Sequence, residues 1–493
     1  MRNFKLFAIL LAGFLLIGCS SEKQTTEFQS VEDIETARIG LVLGTTHDAF
    51  ATANFKNAEI IRLETEPDMF IAIQKDKCDV LFADFTSFIY AQKEYPNLIE
   101  VPSNFPPDFY GMGFSKNDKE LRVRFNSFLQ EIKDNGLYDE IYDRWIINGT
   151  ESTMPAMDLP ATGEAIRVAV TGTQYPFSFY QEQELVGFDT EIIKRFSMEV
   201  GRPVEFQAIN FGSLIASLQA GKVDIISAAM TITEERSKNV AFSDPYFETK
   251  IVVGTIDHSV AMAGEDIEEG FFAKIKRSFV SNLIVESRYK LILDGLKTTL
   301  IISILSILLG TLLGALVCWM KMNRRRWLSS IADLYITIMR GTPVLVLLML
   351  MFYVFLAKVD INGVYVAVLT FAFNFAAYVS EMFRTAIQSV DKGQTEAGIA
   401  LGFSPVQTFI NIIMPQAVQK VLPVYKGEMI SLIKTTSIVG YIAVEDLTKV
   451  SDIIRSRTFD AFFPLLMVAI LYFIIAWLFG KALDLLNSKK TQA

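Results

Sequence analysis

The chain has 493 residues, of which 51% are hydrophobic and 20% charged, with a formal net charge of -9. This composition excludes a largely disordered chain, and 39 phenylalanines with a positive mean hydropathy place part of it in lipid. The acidic balance argues against nucleic acid as a partner, the scattered Cys19, Cys78 and Cys318 against a disulfide framework, and the isolated His47 and His258 against a metal site.

A charged start, Met1 to Lys5, precedes an apolar run from Leu6 to Ile17 that is too short for a comfortable span. Residues 1–19 therefore read as an export signal. Its end, Leu16-Ile17-Gly18-Cys19, resembles a bacterial lipobox, which makes Cys19 the lipid attachment site; an uncleaved anchor is the alternative. On either reading the mixed, polar stretch up to residue 288 is exported.

Two segments of that stretch resemble the bilobed α/β fold of periplasmic amino-acid-binding proteins. In residues 164–257, Ile166 to Val170 reads as a first strand and Leu185 to Asp189 as the approach to a helix, with Asp189 as its cap. Phe211 to Ile215 starts another helix, Leu218 to Asp224 leads to a buried strand, and Ala229 to Arg236 and Phe242 to Tyr246 follow. Residues 29–148 resemble the other portion, through Ile39 to Thr46, Lys77 to Asp84, Tyr110 to Phe114 and a closing helix at Asn135 to Trp145. Each lobe occurs once, in reversed order, so the resemblance implies a circular permutation. The expected order is second lobe (29–110), return crossing and closing helix on the first lobe (111–148), linker (149–163), first lobe (164–257) and a linker to the membrane (258–289). Such a cut should leave one covalent crossing between lobes, near Tyr110 to Phe114. Two truncated domains are the alternative, but each would expose an apolar sheet face.

A free amino acid needs a fixed cation for its carboxylate and a fixed anion for its ammonium. The resemblance assigns the carboxylate to Arg236, with Thr231, backbone donors around Ala229, and Thr46 from the opposite lobe. It assigns the ammonium to Asp84. Phe211 is an expected apolar wall, and Gln174 or Tyr175 falls where the family carries an aromatic clamp.

Five apolar stretches follow, at Leu291 to Met320, Ile336 to Ala357, Gly363 to Ile387, Phe409 to Val444 and Ala461 to Leu486. Lys321 and Arg324 to Arg326 mark the first inner end, so the C-terminus is also expected in the cytoplasm. Between the third and fourth stretches, Glu396, Ala397, Gly398 and Gly402, followed by Ile412-Ile413-Met414-Pro415, resemble the EAA signature of ABC importer permeases. The flanks Arg340-Gly341-Thr342-Pro343, Ala377 to Arg384 and Leu432 to Ser437 resemble the polar amino-acid subfamily over 290–487, with Lys426-Gly427-Glu428 where that family has a turn. The resemblance implies an all-α membrane domain of the type I importer class, with Glu396 near the start of a short helix that couples to an ATPase. No GxxxxGK[ST] occurs, so ATP is expected on a separate cytoplasmic ATPase subunit, with no cofactor on this chain.

The expected function is ATP-driven import of a polar amino acid across the bacterial inner membrane, with a second permease chain as partner, most simply in a homodimer. An amino-acid-gated channel, or a lyase using His47, are the alternatives, and neither explains the Glu396 loop.

Overall fold

Ile39 to Val42 and Val80 to Ala83 are short apolar runs, the pattern of strands covered on both faces. In the computed structural model, which describes residues 28–149, 152–260, 271–357, 359, 361–460 and 462–488, they become β1 (Arg38–Val42) and β3 (Val80–Asp84). The signal segment and Cys19 lie outside the described residues. With β2 (Glu59–Leu63), β4 (Leu98–Val101) and β14 (Phe247–Ile256), they form a first sheet in the order β2-β1-β3-β14-β4. Helices α1 (Thr46–Asn54) and α2 (Glu66–Gln74) begin at Thr45 and Thr65, whose hydroxyls accept the Asp48 and Asp68 amides as N-caps.

The second sheet has the order β11-β7-β12-β6-β13, from β11 (Val204–Ala208), β7 (Ile166–Val170), β12 (Ile225–Ile226), β6 (Gly113–Phe114) and β13 (Ala241–Phe242). Each sheet thus takes strands from both halves of residues 28–256. Helix α3 (Phe188–Val200) packs in its core with Trp145.

The expectation of a single crossing is not met. Strand β5 (Pro107–Tyr110) pairs antiparallel with the start of β14, Phe247 opposite Tyr110 and Lys250 opposite Pro107. From there β14 runs on between β3 and β4, so residues 247–256, expected in the first lobe, belong to the first sheet. The physical reason is burial: Ile251, Val252 and Val253 find cover only inside that sheet. Two strands therefore connect the sheets.

The membrane half is helical. It comprises α4 (Tyr289–Lys321), α5 (Arg326–Gly341), α6 (Val344–Leu350), α7 (Gly363–Gln388), α8 (Lys392–Ala400), α9 (Met414–Thr435), α10 (Leu447–Thr458) and α11 (Phe462–Ser488). Among the described residues three helices are long and apolar enough to cross a membrane: α4, α7 and α11 over Phe462–Asp484. A fourth arises if α5 and the helical stretch Val344–Phe355, bent by 106° at Thr342-Pro343, count as one span. Helix α9 stays outside that set because Lys420, Lys426, Glu428 and Lys434 interrupt its apolar text. No turn breaks it at Lys426 to Glu428; the helix continues, with Pro423 inside. Glu381 pairs with Lys321 at 2.6 Å and Arg384 at 2.9 Å, whereas Lys434 is exposed.

The N-terminal half sits on this helical half through both sheets. On the first-sheet side Asp68 pairs with Arg455, and Phe459 packs among Phe70, Tyr90 and Tyr95. On the second-sheet side Tyr180 donates to Glu445, and Lys222 Nζ donates to the carbonyl of Val359 at 3.0 Å.

Candidate functional site

A cavity lies where the C-terminal ends of the central strands of the two sheets meet, where open α/β sheets commonly bind ligands. Arg236 reaches it from a short helix, Glu234–Ser237, capped by Thr233. Its Nη1 donates to the Thr231 carbonyl at 2.9 Å and its Nη2 to the Gly44 carbonyl, across the cleft, at 3.1 Å. The Phe211 ring lies 5.4 Å from the guanidinium, and burial lowers the Arg236 pKa from its ordinary value. From the first sheet come Thr46, at the first turn of α1, and Asp84, at the end of β3.

Arg236, Thr231, Phe211, Thr46, Asp84 and Gln174 thus line one cavity. Three buried polar atoms that border it have no hydrogen-bond partner among the described residues: His47 Nε2, Asp84 Oδ1 and Gln174 Oε1. His47 Nε2 and Asp84 Oδ1 are 3.7 Å apart. Buried polar atoms are almost always paired, so three orphans around one space mark a site built for a polar molecule.

Two expectations fail. Tyr175 does not reach the cavity; its ring stacks on Tyr90 at 3.6 Å and packs in the core with Phe179. Ala229 borders the cavity, but its amide is spent on Asp189 Oδ2 at 3.1 Å and is no free donor. That contact holds Ala229 at φ +43°. Asp189 itself is the second residue of α3 behind a Gly187 cap, fully buried, and pushed up to about 6 by burial.

Sequence reasoning missed several lining residues, among them His47 as a binding group, Glu64, Glu66, Asn210 and Lys449. His47 and Glu66 could have been found from their places in the first turns of helices that follow β1 and β2. Burial, and then the charge of Asp84, push Glu66 up to about 8; its accessible part faces the cavity. No local pattern marks Asn210 or Lys449.

The Glu396 loop forms α8, capped by the Asp391 side chain on the Gly393 amide at 2.7 Å. Glu396 lies mid-helix and exposed, not in the first turn, so the dipole gives it no special place. Ala397 is exposed beside it, while Gly398 is buried; a Cβ there would come within 2.6 Å of Thr408 Cγ2. Gly402 turns the chain at φ +87°, with the Phe403 amide donating back to the Gly398 carbonyl at 3.1 Å. The outer face carries Ile399, Leu401 and Val406, all more than half exposed, which is an apolar surface of the kind that binds protein.

The family described as bacterial extracellular solute-binding proteins, family 3, matches residues 166–405. Residues 166–256 of that match form β7 to β14, and the remainder runs into the helical half. A Rickettsia bellii protein named as a glutamine transport system permease is 33% identical over 200 residues, 40% of this chain and 92% of that protein. The L-cystine transport system permease protein of Bacillus subtilis is 34% identical over 199 residues, 40% of this chain and 85% of its own length. A crystal structure of an amino acid ABC transporter with histidines is 33% identical, covers 45% of this chain and 100% of that chain, and gives a TM-score of 0.39.

Proposed function

Because the chain belongs to the amino-acid ABC transporter permease family and carries a solute-binding domain in the same polypeptide, we propose that it imports a polar amino acid driven by ATP. The single observation that carries the substrate is the cavity in which Arg236 and Asp84 stand together, with orphaned polar atoms around them. In this reading Arg236, Thr231 and Thr46 hold the carboxylate, Asp84 the ammonium, and Phe211 and Gln174 border the side chain. The two sheets act as the lobes of one permuted binding domain. Ligand that touches both lobes stabilises their closed arrangement by its differential contacts.

The energy comes from a separate ATPase subunit that docks on α8 and the exposed Ile399, Leu401 and Val406. Five crossings, counting the bent pair and α9, keep the binding half outside and the C-terminus in the cytoplasm, and a second copy completes the pathway. Its surface includes the groove lined by Lys434, Trp477 and Lys481. Cys19 anchors the exported start to lipid.

Reconstitution with the ATPase in liposomes tests the proposal. ATP-dependent accumulation of a labelled amino acid supports it. An amino-acid-gated current, or product formation without uptake, overturns it.

A further inference from the structure

All but one of the residues lining the amino-acid cavity come from the exported half. The exception is Lys449, in the first turn of α10, only 3% exposed, with Nζ 2.9 Å from Asn210 Oδ1. An ammonium has three donors, and Asn210 takes one. The helix that carries Lys449 is rooted among the membrane helices. The Leu447 amide donates to Thr299 Oγ1 at 3.3 Å, Tyr472 donates to Asp446 Oδ2 at 2.9 Å, and Gly295 of α4 has no room for a Cβ against Val450. On its other side α10 packs against β8 (Thr173–Gln174), the strand that carries the orphaned Gln174 Oε1.

We propose that Lys449 is a specificity-determining wall of the pocket, placed there by the membrane half, and that it selects a neutral carboxamide side chain over a cationic one. The inference rests on the reading of the cavity as an amino-acid site. Once Arg236 and Asp84 are matched to the zwitterion, the lining charges left are Glu64, Glu66 and Lys449, with His47 set against Asp84. Glu66, pushed up to about 8, holds its proton at neutral pH. Glu64 and Lys449 are of opposite sign; burial lowers the Lys449 pKa, while Asp452, Glu445, Asp446 and, least, Glu64 favour its ammonium form. A carboxamide fits this remainder: its oxygen accepts from Lys449, and its NH2 donates to Gln174. A cationic side chain meets a like charge on Lys449, itself 3% exposed, which is costly. Without Lys449 the same wall is one charge more negative and favours the cation.

The test is calorimetric titration of the full chain in lipid nanodiscs with L-glutamine and L-arginine. The wild-type chain is expected to bind glutamine more tightly. Lys449→Met is expected to shift the glutamine-to-arginine affinity ratio toward arginine by about tenfold or more. Lys449→Gln, which keeps a partner for Asn210, shifts it the same way, and Lys449→Arg keeps the wild-type order. The inference is overturned if wild-type chain prefers arginine, or if both neutral variants bind the two amino acids in the wild-type ratio. Should the wild-type chain bind neither these two nor any other amino acid, the underlying reading of the cavity falls, and that failure is distinct from an unchanged ratio.

Discussion

The indole Nε1 of Trp145 donates to the carboxylate of Glu191 at 2.7 Å, at a point where neither side chain touches solvent. Arg144 and Arg195 close on the same carboxylate at 2.6 and 2.7 Å. The contact joins the end of the segment at 137–147 to α3, which lies beyond the connecting residues 149–163. Removing the carboxylate leaves two guanidinium groups and an indole without their acceptor, and breaking a buried ion pair costs about 3–5 kcal/mol. Glu191→Ala is expected to lower the melting temperature of the N-terminal half in the full chain by several degrees. A melting temperature equal to wild type would mean that the two segments do not form one cooperative body.

Arg236 now donates to two backbone carbonyls, one from each side of the cleft. A bound carboxylate is a stronger acceptor and fits the planar fork in a bidentate way, which an ammonium does not reproduce. Arg236→Lys is therefore expected to weaken amino-acid binding about 10–100-fold, as for the loss of a hydrogen bond to a charged group, with the melting temperature of the ligand-free chain little changed. Unaltered affinity by calorimetry would remove Arg236 from the site.

Glu66 gives the pocket a pH signature. Its folded pKa, about 8, lies above the ordinary 4.5, so between those values the folded chain holds a proton that the unfolded chain has lost. Stability from this group is therefore fully present below about 4.5 and falls as pH rises through the window. Glu66→Gln removes the titration while keeping a side-chain oxygen for the Ser87 hydroxyl, now 2.9 Å from Glu66 Oε2. The variant is expected to melt higher than wild type at pH 8 to 9, and the difference should shrink toward pH 5. Parallel melting curves over that range would show that the group does not titrate there.

The resemblance to amino-acid-binding proteins located strands at Ile39 to Val42, Val80 to Asp84 and Ile166 to Val170, and the spacing from Glu396 to Gly402 located the short helix α8. What sequence text does not carry is the neighbour across a fold. Residues 247–256 fall within the expected first lobe, but packing places Val252 between β3 and β4. Gln174 and Tyr175 are adjacent, yet local backbone geometry sends one to the cavity and the other to Tyr90. Lys449 stands far along the chain from Asn210, and a lysine in the first turn of a helix carries no local sign of a pocket.

Gly398 allows α8 to lie against the segment that follows it. A Cβ would stand 2.6 Å from Thr408 Cγ2 and 2.9 Å from Ile412 Cδ1, so Gly398→Val must displace the helix. Because α8 shares no residue with the amino-acid cavity, binding should be preserved. ATP-driven uptake in liposomes is expected to fall about tenfold or more, together with ligand-stimulated ATPase activity. Full uptake by a folded Gly398→Val chain would mean that the close approach is not needed for coupling.

Phe459 fastens the two halves of the molecule. Its ring meets Phe70, Tyr90 and Tyr95 at centroid distances of 6.2, 5.9 and 5.5 Å, and its carbonyl accepts from the Tyr95 hydroxyl at 3.0 Å. Aromatic pairs contribute about 0.5–1.5 kcal/mol each beyond area burial, so the loss of three in Phe459→Ala should weaken docking by about 1.5–4.5 kcal/mol. The pair between Arg455 and Asp68 remains in that variant and limits the loss. Hydrogen exchange is expected to rise around residues 88–96, the face that Phe459 covers, while the cavity's contacts through Arg236 and Asp84 stay in place. Uptake should therefore fall more than calorimetric affinity does. If exchange at 88–96 matches wild type and uptake is normal, Phe459 is a passive filler and docking is carried by Arg455, Glu445 and the other contacts alone.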